Sequence, residues 1–192
     1  LIVRLRKLTE SDSDRVLAWR NSPEVAAFMY SDHLISQAKH ERWLTTALTA
    51  PDRAFWIIEL EGVAAGLANL AKIDQDNSRC EWAYYLATPT ARGRGLGSCV
   101  EYLVLRHVFE TLRLNKLWCE VFVDNEAVWK LHERFGFMRE ALYRDHVKKA
   151  GVFRDVIGLG MLARDWPAAK MAAEARLRDK GYGVAKLELE AG

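Results

Sequence analysis

The first eight residues alternate, with Leu1, Val3 and Leu5 on one side and Ile2, Arg4 and Arg6 on the other, the two-residue period of a strand that buries one face. Thr9-Glu10-Ser11-Asp12 has the form of a capping box and predicts a helix carrying Val16, Leu17, Trp19 and Arg20. Pro23 and its polar neighbours break that period before Ser36 offers an N-cap to a second helix, where His40, Trp43, Leu44, Ala47 and Leu48 share a face. From Ala54 the pattern changes. AFWIIEL, VAAGLANLAKI and RCEWAYYLATP, divided by Glu61-Gly62 and by the polar turn Asp74 to Ser78, predict a meander of three strands.

After Gly95-Leu96-Gly97, Val100, Leu103, Val104, His107, Val108 and Leu112 recur at helical spacing. KLWCEVFV reads as the next strand, and Asp124-Asn125 as the start of a helix that runs through Phe135 and ends at Gly136. FMREALYRDHV and VFRDVIGLGML predict a hairpin turning at Lys149-Ala150-Gly151. Pro167 to Lys180 is a charged, alanine-rich helix candidate closed by Gly181-Tyr182-Gly183. The order of elements predicts an α/β domain over residues 1–166 with a mixed, largely antiparallel central sheet flanked by helices. Residues 167–192 form a C-terminal helical tail, either packed on the domain or making a contact in a homodimer.

The composition narrows the function. A chain of 192 residues is long enough for one substantial core, and a net charge of +2 with 28% charged residues does not favour a nucleic-acid binder. Trp19, Trp43, Trp56 and Trp82 fall in core-like patterns and do not interleave a basic stripe. Cys80, Cys99 and Cys119 lack metal-ligand spacing and read as buried, reduced thiols, so no metal is expected. The chain starts at Leu1 with no basic-then-apolar leader and no apolar run of membrane-spanning length, which predicts a cytoplasmic protein without a membrane partner.

The chemistry concentrates at TARGRGLGSCVEYLV, residues 90–104. Glycines let successive backbone N–H groups converge, and a following helix adds its positive end, so the stretch suits a phosphate or pyrophosphate. Its glycines, Gly93, Gly95 and Gly97, fall at every second position and do not match the dinucleotide fingerprint G-x-G-x-x-G. No Gly-Lys-Ser or Gly-Lys-Thr is present for a triphosphate loop. Arg92-Gly93-Arg94-Gly95-Leu96-Gly97, after a strand ending at Thr88-Pro89, resembles the acyl-CoA pyrophosphate loop of the GNAT N-acetyltransferase superfamily. NEAVWKLHERFGF resembles that superfamily's second hallmark, an asparagine opening a helix that ends in Gly-Phe, here Asn125 and Gly136-Phe137. The resemblance covers about residues 1–162 and leaves the tail outside.

The resemblance implies a GNAT-like fold and acetyl transfer from acetyl-CoA to an amine, with acetyl-CoA as co-substrate. By it, Arg92, Gly93, Arg94, Gly95, Leu96, Gly97 and Ser98 cradle the CoA phosphates, and Asn125 and the fourth strand bind the pantetheine. The main-chain N–H at Leu86 is expected to face the thioester oxygen, a place for oxyanion stabilisation. The family usually places a tyrosine four residues before the helix-ending glycine, where this chain has His132. An imidazole with a pKa of about 6.5 can protonate the departing thiolate, or His132 can be a satisfied core residue. Glu81 on the fourth strand is the first choice for the base, with Asn69 and Glu120 on neighbouring strands. A strand-edge carboxylate is the plain alternative for Glu81.

WRNSPEVAAFMYSDHLISQAKHERW bears on the acceptor. Its Arg20, Asn21, Met29, Tyr30, Ile35, Ser36 and His40 resemble the N-acetyltransferases of pseudaminic acid biosynthesis, which acetylate the 4-amino group of a UDP-linked amino-deoxy sugar destined for flagellin glycosylation. By that resemblance Arg20 and His40 contact the nucleotide diphosphate, with Lys72 and Tyr85 as further counterparts on the strands, and Met29 and Tyr30 give an apolar wall for the deoxy sugar. Each also has a structural reading: His40, Met29 and Tyr30 as packing residues, Lys72 as a solvated strand end. Acetylation of a protein N-terminus is the alternative in the same chemistry, since those enzymes share the LHERFGF style of helix and the VFRDVIGLGML style of ending. A non-catalytic sensor of acetyl-CoA or a sugar nucleotide is the alternative outside it.

Overall fold

The computed structural model describes residues 1–91 and 93–190, Thr90 by its backbone alone; Arg92, expected in the glycine loop, lies outside the described residues. The strands are β1 (Val3–Lys7), β2 (Ala54–Leu60), β3 (Val63–Asp74), β4 (Arg79–Leu86), β5 (Lys116–Phe122), β6 (Met138–Lys149), β7 (Val152–Leu162) and β8 (Leu187–Leu189). They form one sheet in the order β6-β7-β5-β4-β3-β2-β1-β8. The pairs β4–β5 and β1–β8 are parallel and the others antiparallel, the mixed sheet that the sequence predicts.

Helices cover both faces. On one, α1 (Ser13–Asn21) and α3 (Gln37–Thr49) pack Val16, Leu44 and Ala47 against Ile57 and Leu67, while one turn, α2 (Pro23–Ala26), joins them. His40 and Leu44 are buried there as their period requires; Leu48, expected on the same face, is exposed because the helix has turned it past the sheet. On the other face α4 (Leu96–Arg106), α5 (Glu126–Arg134) and α6 (Trp166–Asp179) enclose the larger core around Trp82, Leu103 and Leu117. Thr9 and Asp12 form the capping box, and the Ser36 hydroxyl accepts from the Lys39 N–H to cap α3.

Two departures from the sequence reading matter for the site. The helix after the glycine loop widens into a π turn over His107–Thr111 instead of continuing regularly to Leu112. Beyond Gly183, where no element is predicted, β8 pairs with β1 in register Val3↔Leu187 and Leu5↔Leu189. Ala173, Leu177, Tyr182 and Leu187 from the tail are buried in the same core as α4. Each fully buried leucine there contributes about 1.5–3 kcal/mol. The tail thus packs on the domain and extends its sheet.

Gly66 on β3 faces β4 so closely that a Cβ added there would clash with the Tyr85 carbonyl oxygen. Gly66→Ala is expected to lower the unfolding free energy by about 2 kcal/mol, measured by chemical denaturation. An unchanged midpoint would mean that the two strands separate there at no cost.

Candidate active site

After β4 the chain makes one 3-10 turn over Pro89–Ala91 and enters the glycine loop. Gly93 has φ 73° and Gly95, the N-cap of α4, has φ 81°, a left-handed conformation that a side chain would strain. Gly97 meets a different constraint. A Cβ there would lie 2.8 Å from the Tyr84 hydroxyl, so the glycine lets α4 approach β4. The loop therefore presents backbone N–H groups at the positive end of α4, which fits the phosphates of a CoA donor. One tail residue braces it: Tyr182, almost fully buried, donates its hydroxyl to the Arg94 carbonyl at 2.6 Å; Lys180 lies beside Gly95.

Beside the loop the sheet opens. The parallel pairing of β4 with β5 consists of Arg79↔Lys116, Cys80↔Leu117 and Glu81↔Trp118, after which β4 runs on to Leu86 and β5 to Phe122 as separate strands. Leu86 stands on the rim of that opening. Asn125 stands across it as the N-cap of α5, its carbonyl accepting from Val128 and Trp129 while its side chain makes no cap hydrogen bond.

His132 is buried between α5, α4 and the sheet, with its ring against Trp82 and Phe137. Its Nδ1 lies 2.9 Å from Oε1 of Glu101, itself fully buried on α4, and the Cys119 thiol is a second hydrogen-bond partner. Burial pulls the imidazole pKa down, but the Glu101 charge and the Cys119 contacts outweigh it and raise it to about 10. Burial raises the Glu101 carboxyl, and the imidazolium opposes that rise. His132 therefore carries a proton at neutral pH, held inside the protein beside Glu101. Glu101 Oε2 has no hydrogen-bond partner among the described residues.

The opposite sheet face carries the residues that the sequence suggests for the acceptor. Glu81 pairs with Lys72 at 2.7 Å, and the Lys72 ammonium also lies over the Trp118 ring. Glu120 on β5 accepts from the Tyr30 hydroxyl at 2.6 Å, and Tyr30 leans on Phe122. The Tyr30 phenol is raised by burial and by Glu120, with Glu81 contributing, so the two carboxylates and Tyr30 belong to one neighbourhood. Met29 participates through its backbone. Its carbonyl, with those of Ala26 and Ser31, accepts from Lys149 at the tip of the β6–β7 hairpin, which fixes the loop that carries Tyr30.

Next to Tyr30, a cavity of about 110 Å³ is lined by Arg20, Ser31, Ile35, Lys39, His40 and Trp43. His40 stacks on Trp43 and hydrogen-bonds the Ser13 carbonyl at 2.9 Å, so it both packs and borders the cavity. Arg20 Nε and the Tyr85 hydroxyl are buried without hydrogen-bond partners among the described residues, and the Arg20 charge acts on Tyr85. The expected acceptor residues thus gather in two adjoining groups, cationic around Arg20 and acidic around Glu81 and Glu120.

Glu101, Lys39, Lys149, Lys180 and Tyr182 were not marked by the sequence reading. Glu101 had a legible signal, a carboxylate within an otherwise apolar run, VEYLVL. The others act through long-range contacts that no local pattern encodes. Among the described residues no three His, Cys, Asp or Glu side chains group as a metal site requires, and no helix is long and apolar enough to cross a membrane.

Comparison with known proteins gives three reference points beside the family match. Residues 3–138 match the model of the acetyltransferase (GNAT) domain. The chain is 30% identical to a ribosomal protein bS18 alanine N-acetyltransferase of Salmonella typhimurium, across 77% of this chain and 90% of that one. It is 25% identical to the acetyltransferase PseH of Campylobacter jejuni, across 71% of this chain and 85% of that one. The spermidine N-acetyltransferase of Vibrio cholerae, solved with CoA and spermine, shares the fold at TM-score 0.80 and 20% identity, covering 86% of this chain and 98% of that one.

The His132 pKa is raised from 6.5 to about 10, so the stabilisation from its pair with Glu101 is complete below pH 6.5 and declines as pH rises through 10. In Glu101→Gln burial dominates, and NMR titration of the imidazole is expected to place its pKa below 6.5. The stability gap between wild type and variant should shrink from pH 7 to pH 10. An imidazole still titrating near 10 in the variant would assign its charge to another partner.

Proposed function

The chain belongs to the GNAT acetyltransferase family and is an acetyl-CoA-dependent N-acetyltransferase, and from that premise we propose that its acceptor is a UDP-linked amino-deoxy sugar of the pseudaminic acid type, acetylated on the 4-amino group. One observation carries the choice: among the described residues Arg20 Nε, in a cavity that Lys39 also lines, and the Tyr85 hydroxyl within reach of the Arg20 charge are buried without hydrogen-bond partners. Unsatisfied buried donors are costly, and an anionic acceptor tail would satisfy them. A polyamine would bring more positive charge to the same cavity. The amine end of the acceptor then lies toward Glu81 and Glu120, with Met29 and Tyr30 beside the sugar and Lys72 holding Glu81.

In this reading acetyl transfer is direct. Gly93, Arg94, Gly95, Leu96, Gly97 and Ser98 hold the donor phosphates together with Arg92, Asn125 binds the pantetheine, and the Leu86 N–H polarises the thioester carbonyl. Glu81 accepts the amine proton, directly or through water. His132 is the proton-bearing group that α5 supplies, and donation to the departing thiolate requires its contact with Cys119 to open. A thiol pKa of about 8.5 makes the thiolate a fair leaving group without that help.

A second reading, acetylation of a protein N-terminus, is favoured by the similarity to the bS18 alanine N-acetyltransferase. Incubation with acetyl-CoA and, in turn, the UDP-4-amino sugar, an alanine-start peptide and spermidine separates the readings by mass of the product. Transfer to the sugar is expected; transfer to peptide alone would overturn the sugar, and CoA binding without transfer to any amine would point to a sensor.

Arg20→Ala should raise the sugar KM about ten-fold or more with the acetyl-CoA KM unchanged. Glu81→Gln should lower kcat about a hundred-fold and remove the acidic limb of the pH–rate profile. If Glu120→Gln has that effect and Glu81→Gln does not, Glu120 is the base.

A further inference from the structure

Behind the glycine loop, on the side away from the acceptor, α4, α5 and α6 enclose a cavity of about 280 Å³ lined by Ser98, Leu131, Arg134, Arg176, Leu177 and Lys180 among others. Three of its side chains are cationic. Among the described residues none of the three has a carboxylate partner: Arg176 donates to the Arg134 carbonyl at 2.7 Å, and Lys180 lies 3.5 Å from the Ser98 hydroxyl. Other cations on α6 behave differently, since Lys170 pairs with Glu110 and Arg178 with Glu174. Arg176 is also within electrostatic reach of Glu101, but that carboxylate is engaged by His132.

Lys180 adds a second tension. Its ammonium lies 3.9 Å from where a Cβ on Gly95 would be, at the positive end of α4. A cation and a helix N-terminus repel unless an anion lies between them. The glycine loop accounts for the pyrophosphate of the donor, but coenzyme A carries a third phosphate, on the 3′ oxygen of its ribose. We propose that Lys180, Arg176 and Arg134 bind this 3′-phosphate, so that the tail beyond the matched domain selects CoA over its dephosphorylated form.

The proposal rests on acetyl-CoA as donor and is independent of the acceptor. Its test is calorimetric binding of CoA and of 3′-dephospho-CoA to the full chain in phosphate-free buffer, with inorganic phosphate titrated separately. Wild type is expected to bind CoA about ten-fold or more tightly than dephospho-CoA. Lys180→Met with Arg176→Met should bring that ratio near one while leaving dephospho-CoA affinity unchanged, and Lys180→Arg should preserve it.

Equal affinities in wild type would overturn the proposal. So would a loss of both affinities together in the double variant, because the residues would then brace the loop without reading a phosphate. Binding of inorganic phosphate that does not compete with CoA would assign the cavity to a separate anion. Binding of neither nucleotide would overturn the donor itself, a result distinct from any failure of the sugar assay.

Discussion

The site depends on two parallel strands that stop pairing. In β4 and β5 three residue pairs hold the strands together, and from Glu81–Trp118 onward they diverge. Backbone N–H and C=O groups need partners, so a divergence inside a sheet persists only where the flanking elements hold it open. Here the flanks are strong: β4 is paired along its other edge with β3 from Arg79 to Leu86, and β5 with β7 from Lys116 to Phe122. Each strand belongs to its own antiparallel half-sheet. At the C-terminal ends of these parallel strands the opening is flanked by the glycine loop, which follows β4, and by the start of α5, which follows β5.

Charge is then distributed across the two sheet faces in different ways. On the α4–α5 face one buried imidazolium and one buried carboxylate neutralise each other, joining two helices where an apolar pair could also have packed. On the α1–α3 face Glu81 has Lys72 and Glu120 has Tyr30, while Arg20 Nε and the Tyr85 hydroxyl lack hydrogen-bond partners among the described residues. On the donor side too, among the described residues, Trp82 Nε1 and Glu101 Oε2 are buried without hydrogen-bond partners, so neither face is fully satisfied.

Much of this was legible in the residues. The apolar runs AFWIIEL and VAAGLANLAKI, bounded by turns, become β2 and β3, and the alternating glycines become a left-handed bend opening a helix, because local sequence signals decide both. The inward face of Val128, Leu131 and Phe135 places His132 correctly, but its meaning required Glu101, 31 residues away. The tail was the least legible. Leu187 to Leu189 is too short to announce a strand, and it becomes one because β1 offers a free edge beside it. Tyr182 reads as one residue of a helix-ending turn, and its contact with Arg94 spans 88 positions of sequence.

That contact also sets an order of events. As the chain emerges from synthesis, the glycine loop is made long before Tyr182, so the bend first exists without its brace. Closing so long a separation comes late, after the local hairpins have formed. β8 arrives later still and ties Glu190 to Arg4, Lys7 and Trp56 at the far edge. A polypeptide clipped before Tyr182 therefore retains β1 to β7 but lacks the hydrogen bond that ties the glycine loop to the tail.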